Sequence, residues 1–241
     1  MRAAEAWRGY KPTSFALLAL ESGDSVLDVG CGTGEDARDL ARLVPGVSVL
    51  GIDTRAETVA EAERLTLGLP RAVDFRVGDA HRLDVEAASV DAVRADKVFH
   101  HLEDPARALA EMARVARPGG RVVVSDADYE TLVVDLPDRA LTRRILDAFC
   151  DRLPHGWIGR RLPALFGEAG LSDVRVTPYT AVVTDYDESV LGLREKVEDA
   201  ASAGLVTSDE VTGWVAALDA ADHAGRFLCA LTIFTVSGRK R

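Results

Sequence analysis

The chain has 241 residues, 47% of them apolar, with 39 acidic against 29 basic side chains and a formal net charge of −10. That suffices for one large domain, or one domain with a lid, around a sizeable core. The acidic balance, with only a short basic tail at Gly238–Arg241, argues against nucleic acid as the main partner.

Three distant cysteines, Cys31, Cys150 and Cys229, form no C-x-x-C pair and no disulfide framework. The first twenty residues lack a basic-then-apolar signal pattern, and no apolar run approaches the ~18 residues of a membrane span. A soluble protein of a reducing cytoplasm, with no membrane partner, is the expectation.

Residues 1–22 are expected to form an N-terminal helix or flap, with Thr13 or Ser14 as cap and Phe15, Leu17, Leu18 and Leu20 on the buried side. Trp7 and Tyr10 fit two roles equally, pinning the N-terminus or closing a flap over a ligand. A short buried strand at Ser25–Val29 then breaks at Gly30, Gly32 and Gly34, and a helix over 35–44 carries Ala37, Leu40, Ala41 and Val44 inward. Such a turn lets a ligand lie on bare main chain, beside the N–H groups that open the helix. A dinucleotide fingerprint needs glycine at 35, where Glu35 stands, and no phosphate loop of the G-x-x-x-x-G-K-[ST] type occurs. Asp28, just before the turn, suits a cationic ligand and repels a pyrophosphate; tying the loop to backbone amides is its plainer role.

A second buried strand over 47–52 ends on Asp53, about 20 residues beyond the glycine turn, where a carboxylate accepts both hydroxyls of a ribose. As a plain helix cap, Asp53 competes with Thr54. Helix 55–66 and strand 73–77 lead to Gly78-Asp79-Ala80-His81, with His81 read as an exposed loop residue. Strand 90–95 is followed by Phe99-His100-His101-Leu102-Glu103-Asp104-Pro105, in which Asp104 caps a helix over 105–116. The turn Arg117-Pro118-Gly119-Gly120 precedes a fifth strand over 121–126.

Strand–helix alternation of this kind predicts an α/β fold with a doubly wound, mostly parallel sheet, whose ligands gather at the carboxyl ends of its strands. Asp28, Asp53, Asp79, Asp96 and Asp126 fall along that rim. Beyond residue 130 the pattern changes to helix 138–153, a loop at 154–159, helix 160–169, strand 174–181, helices 188–204 and 208–223, and strand 227–236. The expected division is 1–22 flap, 23–130 core, 131–158 lid helix and loop, and 159–186 helix and strand completing the core. A helical lid insertion over 187–224 and a final edge strand and tail over 225–241 follow.

The run Asp28-Val29-Gly30-Cys31-Gly32-Thr33-Gly34 resembles motif I of the class I S-adenosylmethionine (SAM)-dependent methyltransferases. Asp53, Gly78-Asp79-Ala80 and the His100-His101 segment follow in the order of its ubiquinone/menaquinone-type and natural-product branch, over roughly residues 22–127. The resemblance implies a seven-stranded, Rossmann-like sheet whose last two strands are antiparallel. It implies SAM as cofactor, S-adenosylhomocysteine (SAH) as product, and Asp79 at the adenine amino group with the Ala80 N–H on the ring. Further cofactor contacts are expected at Gly30, Cys31, Gly32, Gly34, Thr54, Ala95 and Tyr10.

The implied reaction is in-line transfer of a methyl group to an O, N or C nucleophile of a small molecule, a quinone-like or secondary-metabolite acceptor. A natural-product cyclase or isomerase that transfers no methyl, a macromolecule methyltransferase and a regulatory SAM-binding module are the alternatives. His100, His101 or neither is the general base, with Asp126 orienting the acceptor or the imidazole. Phe99, Asp128, Tyr129, Trp157 and Arg160 are expected around the acceptor. Adjacent histidines without a third ligand at suitable spacing do not suggest a metal. A monomer or a homodimer fits the chain equally.

Overall fold

The computed structural model describes residues 3–68, 73–188 and 192–241; residues 189–191 of the expected helix 188–204 lie outside the described residues. Side chains alternate across a strand, so a strand apolar at successive positions needs cover on both faces. Val26, Leu27 and Val29 meet that need in β1 (Ser25–Val29), an interior strand of a seven-stranded sheet. The sheet order is β3-β2-β1-β4-β5-β7-β6, with β2 Ser48–Asp53, β3 Val73–Val77, β4 Val90–Asp96, β5 Ala116–Val134, β6 Ser172–Val183 and β7 Cys229–Arg239. Strands β1 to β5 pair in parallel, and β7 pairs antiparallel with both β5 and β6. The sheet is therefore mixed, and the doubly wound α/β class expected from the alternation holds.

The helices are α1 (Ala3–Ala6), α2 (Lys11–Leu17), α3 (Glu35–Leu43), α4 (Ala56–Thr66), α5 (Pro105–Val115), α6 (Arg139–Arg152), α7 (Ile158–Glu168), α8 (Leu193–Ser202) and α9 (Ser208–His223). One apolar cluster packs Leu18, Ala37, Leu40, Val59 and Ala62 on Val26 and Val49. On the opposite face Leu109, Met112, Leu162 and Phe166 pack on Leu27 and Val93. A third cluster sets Ile145, Leu146, Val197, Trp214 and Leu218 against Ala181, Leu231 and Ile233. This last cluster gives the C-terminal half a core of its own beside the strands that carry the rim. No helix among the described residues is long and apolar enough to cross a membrane.

Several local expectations need correction. Neither Thr13 nor Ser14 caps the first long helix. α2 starts at Lys11 because Pro12, with its fixed φ, suits the first turn, and the Ser14 hydroxyl donates to Lys11 O inside the helix. Residue 55, not Asp53 or Thr54, occupies the cap position of α4, and no side chain caps it there. β5 runs on through Ala127 and Asp128 to Val134, because antiparallel pairing with β7 continues past the rim. α7 begins at Ile158, taking in residues expected in the preceding loop.

The last strand is not an edge strand either. β7 lies between β5 and β6, where Leu231, Ile233 and Val236 find cover, and the more polar and exposed β6 takes the edge.

Candidate active site

The carboxyl ends of β1, β2, β3 and β4 enclose a cleft of about 760 Å³, lined by Gly30, Gly32, Asp53, Thr54, Gly78, Asp79, Ala80 and His101 among others. Main-chain hydrogen bonds set the glycine turn: the N–H groups of Gly30 and Cys31 donate to Ile52 O at 2.7 and 3.0 Å, and Gly34 N–H to Cys31 O at 2.9 Å. At Gly30 a Cβ would come 2.3 Å from a methyl of Val98, so glycine is needed for packing. Gly32 has φ +53° and nothing within 4 Å of a Cβ position, so its exposed side is bare main chain facing open space.

Asp53 accepts from Gly32 N–H at 3.0 Å and from Arg55 N–H at 3.1 Å. A carboxylate offers about four lone-pair sites, so Asp53 can shape the loop and still accept from ribose hydroxyls. Asp79 also lines the cleft, and its Oδ1 accepts from the His81 amide and lies 2.7 Å from the His81 ring. His81 is not the exposed loop residue expected: its side chain is 19% exposed, it lines the cleft, and Asp104 N–H donates to its Nε2 at 3.2 Å.

Behind the glycine turn lies a charged cluster around a smaller cavity of about 200 Å³. Arg94, 2% exposed in the middle of β4, donates from Nη1 to Asp28 Oδ1 at 2.8 Å and from Nη2 to Asp36 Oδ2 at 2.9 Å. Lys11 pairs with Asp36 and, at 3.5 Å, with Asp96. The Tyr10 hydroxyl donates to Asp96 Oδ1 at 2.6 Å. Three carboxylates thus face two cations, leaving one negative charge in excess. Asp28 Oδ2 is buried and accepts no hydrogen bond from any described residue, so it has lone pairs to offer an incoming cation.

Burial pushes the Asp28 carboxyl up to about 6, against the pull of Arg94. At Asp36 burial works in the same sense, but Arg94 and Lys11 outweigh it and hold the group at about 2. Burial raises Asp96 as well. The expected tie of Asp28 to backbone amides is absent among the described residues, where Arg94 is the donor to its carboxylate.

A 3-10 turn over Phe99–His101 follows β4. His100 is buried, its amide donates to Asp126 Oδ2 at 3.2 Å, and its Nδ1 stands 2.7 Å from Asp126 Oδ1. The rings of His100 and His101 lie 3.8 Å apart, and Tyr129 meets His100 edge-on at 5.5 Å. His101 lines the cleft, and burial with the neighbouring His100 lowers its pKa. A second cavity of about 250 Å³ lies under α6 and α8, lined by Trp7, Lys97, Ala127, Tyr129, Leu132, Phe149, Lys196 and Ile233 among others. Lys97, which holds a left-handed φ of 56°, lines this cavity, the cleft and the charged one. The three spaces therefore share Lys97, at the tip of β4, as a common wall.

Other expected site residues are placed differently. Ala95 and Phe99 are sealed in the core behind the cleft. Tyr10 lines none of these three cavities; it packs on Tyr179, and its hydroxyl donates to Asp96. Asp128 is fully buried in an ion pair with Arg160, which also reaches Glu130 at 2.6 Å, so neither side chain lines the second cavity. Trp157 is 37% exposed and lines neither the cleft nor the second cavity. The sequence reading passed over Arg94, Lys11, Lys97 and Lys196. Arg94 had a signal: a charge amid the apolar run of a strand buried on both faces must be paired.

A methyltransferase-domain family model matches residues 27–124. An uncharacterised 37.1 kDa protein of transposon TN4556 from Streptomyces fradiae is 41% identical over 96% of this chain and 67% of its own length. Demethylmenaquinone methyltransferase of Deinococcus radiodurans is 36% identical over 48% of each protein, so the chain spans about half of that relative. The crystal structure of the [4+2]-cyclase SpnF matches 96% of this chain and 80% of that one, with a TM-score of 0.62 and 23% identity, a likeness of fold alone. The residues present fit SAM: a bare main-chain turn, an unmet buried carboxylate oxygen in a cluster one negative charge in excess, and acids at the next two strand tips. On these grounds the chain belongs to the class I SAM-dependent methyltransferases.

Proposed function

We propose that this protein transfers the methyl group of SAM to a nucleophilic atom of a small molecule of secondary metabolism, in the cytoplasm, as a monomer or homodimer. The observation that carries the reading is that Lys97 lines both the cleft and the second cavity, while His100, paired with Asp126, stands between His101 of the cleft and Tyr129 of the cavity wall. When bound, SAM supplies a methyl carbon on a sulfonium, open to in-line displacement.

The chain's own residues would hold and align the two reactants. Asp28 and Gly30 would hold the ammonium, Asp53 the ribose, and Asp79 with the Ala80 N–H the adenine. Alignment of this kind is worth about 7–11 kcal/mol at best. His100 would act as the base: Asp126 accepts from its Nδ1–H, which fixes the tautomer and leaves Nε2 to take the acceptor's proton. Tyr129, against His100 and on the cavity wall, would position the acceptor, and the helices over the cavity would exclude water.

Incubation of the protein and methyl-labelled SAM with small-molecule extracts tests the reading. A labelled low-mass product supports it. SAH binding without any label transfer would overturn the transferase reading in favour of a cyclase or a regulatory module.

A further inference from the structure

The Asp79 side chain is 58% exposed in the loop after β3, a setting in which a carboxylate ordinarily turns freely. Here the donors that the described residues offer it converge on one oxygen. The His81 amide donates to Oδ1 at 2.9 Å, and the His81 ring nitrogen Nδ1 stands 2.7 Å from the same atom. The amide, and then the ring, hold the carboxyl below its ordinary value, so it is ionised at neutral pH. Oδ2 keeps its lone pairs for a ligand in the cleft that Asp79 lines.

The other side of the imidazole fixes its proton. Asp104 N–H can only donate, and it reaches His81 Nε2 at 3.2 Å, so Nε2 carries the lone pair and Nδ1 the hydrogen. A neutral ring in this tautomer donates to Asp79 and accepts from the start of α5 at once. The loop is fastened to α5 along its length. Arg107 Nε donates to His81 O at 2.9 Å, Glu111 accepts from Leu83 N–H at 2.9 Å, and Arg114 donates to Leu83 O and Val85 O at 2.9 and 3.0 Å. Positions 104, 107, 111 and 114 recur at intervals of three and four, the spacing of one helix face. His81 therefore stands on a rigid element, and the orientation it gives Asp79 is set before any ligand arrives.

We propose that His81 is a positioning residue: its neutral imidazole, seated against the start of α5, orients Asp79 so that Oδ2 accepts from the exocyclic amino group of adenine. The proposal rests on the methyltransferase reading above, and adds to it the origin of a preference for a 6-amino purine. Without the imidazole, Asp79 has to be ordered on binding, a loss of about three- to tenfold in affinity for one immobilised side chain.

Calorimetry on the whole protein tests it, with SAH and the SAH analogue that lacks the 6-amino group as probes. The wild type should bind SAH at least about tenfold more tightly than the analogue, the worth of a hydrogen bond to a charged group. His81→Phe should weaken SAH by about three- to tenfold and leave the analogue's affinity unchanged. His81→Asn, whose amide nitrogen can stand where Nδ1 does, should keep most of the preference. Equal weakening of both ligands by His81→Phe marks a merely structural part in the fold and overturns the proposal, as does no weakening of either. A loss of preference in His81→Asn as large as in His81→Phe overturns it too. If His81→Phe does not fold, nitrogen-15 NMR of the wild-type His81 ring decides: a hydrogen on Nδ1 at neutral pH supports the proposal, and one on Nε2 overturns it. A wild type that binds SAH and the analogue equally overturns this proposal alone. In each of these failures bound SAH leaves the methyltransferase reading standing. Failure to bind SAH overturns that reading, and this proposal falls with it.

Discussion

Replacing Arg94 with methionine is the sharpest test of the charged cluster behind the glycine turn. The substitution keeps most of the volume and removes the cation that pairs with Asp28 at 2.8 Å and Asp36 at 2.9 Å and reaches Asp96 at 3.7 Å. Lys11 then faces three carboxylates alone. Removing one partner of a buried pair costs about 3–5 kcal/mol, because the remaining charge stays buried. Set against the total stability of about 5–15 kcal/mol of a typical domain, that is a large fraction. At about 2–4 °C per kcal/mol for a chain of this size, the melting temperature should fall by roughly 6–20 °C at neutral pH.

The pH dependence fixes the cause. Asp28 already sits at about 6 with Arg94 in place, Asp96 is raised, and Asp36 is kept at about 2 by Arg94 and Lys11 despite burial. Without Arg94 all three move up. A carboxylate raised above its unfolded value stabilises the fold below that value and loses the contribution as pH rises through the folded pKa. Asp36 in the wild type works the other way: its contribution is present above the unfolded value and lost as pH falls through about 2. The raised carboxylates make the deficit of Arg94→Met largest above pH 7 and smaller near pH 4–5, and the loss of the wild-type Asp36 contribution shrinks it further only below its unfolded value of 3.8. Paired thermal melts of wild type and variant across this range measure it. A loss below about 1 kcal/mol at pH 7, or a deficit that does not shrink on acidification, would refute the reasoning.

Asp53→Ala should weaken SAH binding by about 10- to 100-fold, the worth of one or two hydrogen bonds to a charged group, as calorimetry can read; unchanged affinity removes Asp53 from the ribose. Gly32→Ala places a methyl in open space at a left-handed residue, so the fold should lose only about 1–2 kcal/mol while SAH binding disappears. Retained binding there means that the ligand does not lie on this stretch of main chain. His100→Asn should lower turnover by about 10²- to 10⁴-fold, measured on an acceptor found by label transfer, and Asp126→Asn should do the same. SAH affinity should be unaffected in both, and unchanged turnover in both would assign the base elsewhere.

The parts proposed to bind the cofactor were legible because they are local. Strand, glycine turn and helix follow one another in sequence, and Asp53 and Asp79 stand at strand ends that parallel pairing brings side by side. The second cavity, proposed to take the acceptor, was not legible, because its wall is assembled from residues as distant as Trp7, Phe149, Lys196 and Ile233. No period in the sequence records which of them meet.

Phe99 and Ala95 show the limit of motif reasoning. They stand beside site residues in sequence, but strand alternation and one turn of 3-10 helix bury their side chains. Asp128 is buried by another route: continued pairing of β5 carried an expected loop residue into the interior, where Arg160 meets it.

The position of β7 between β5 and β6 governs how this sheet can form during synthesis. As the nascent chain leaves the ribosome, β1 to β5 emerge early and can complete the parallel half, while β6 must wait without a neighbour until residues 229–239 appear. Until then the outer edge of β5 has unpaired main chain, a template for adventitious strand addition. The helices encoded between β6 and β7 thus emerge before the strand that completes the surface on which they pack.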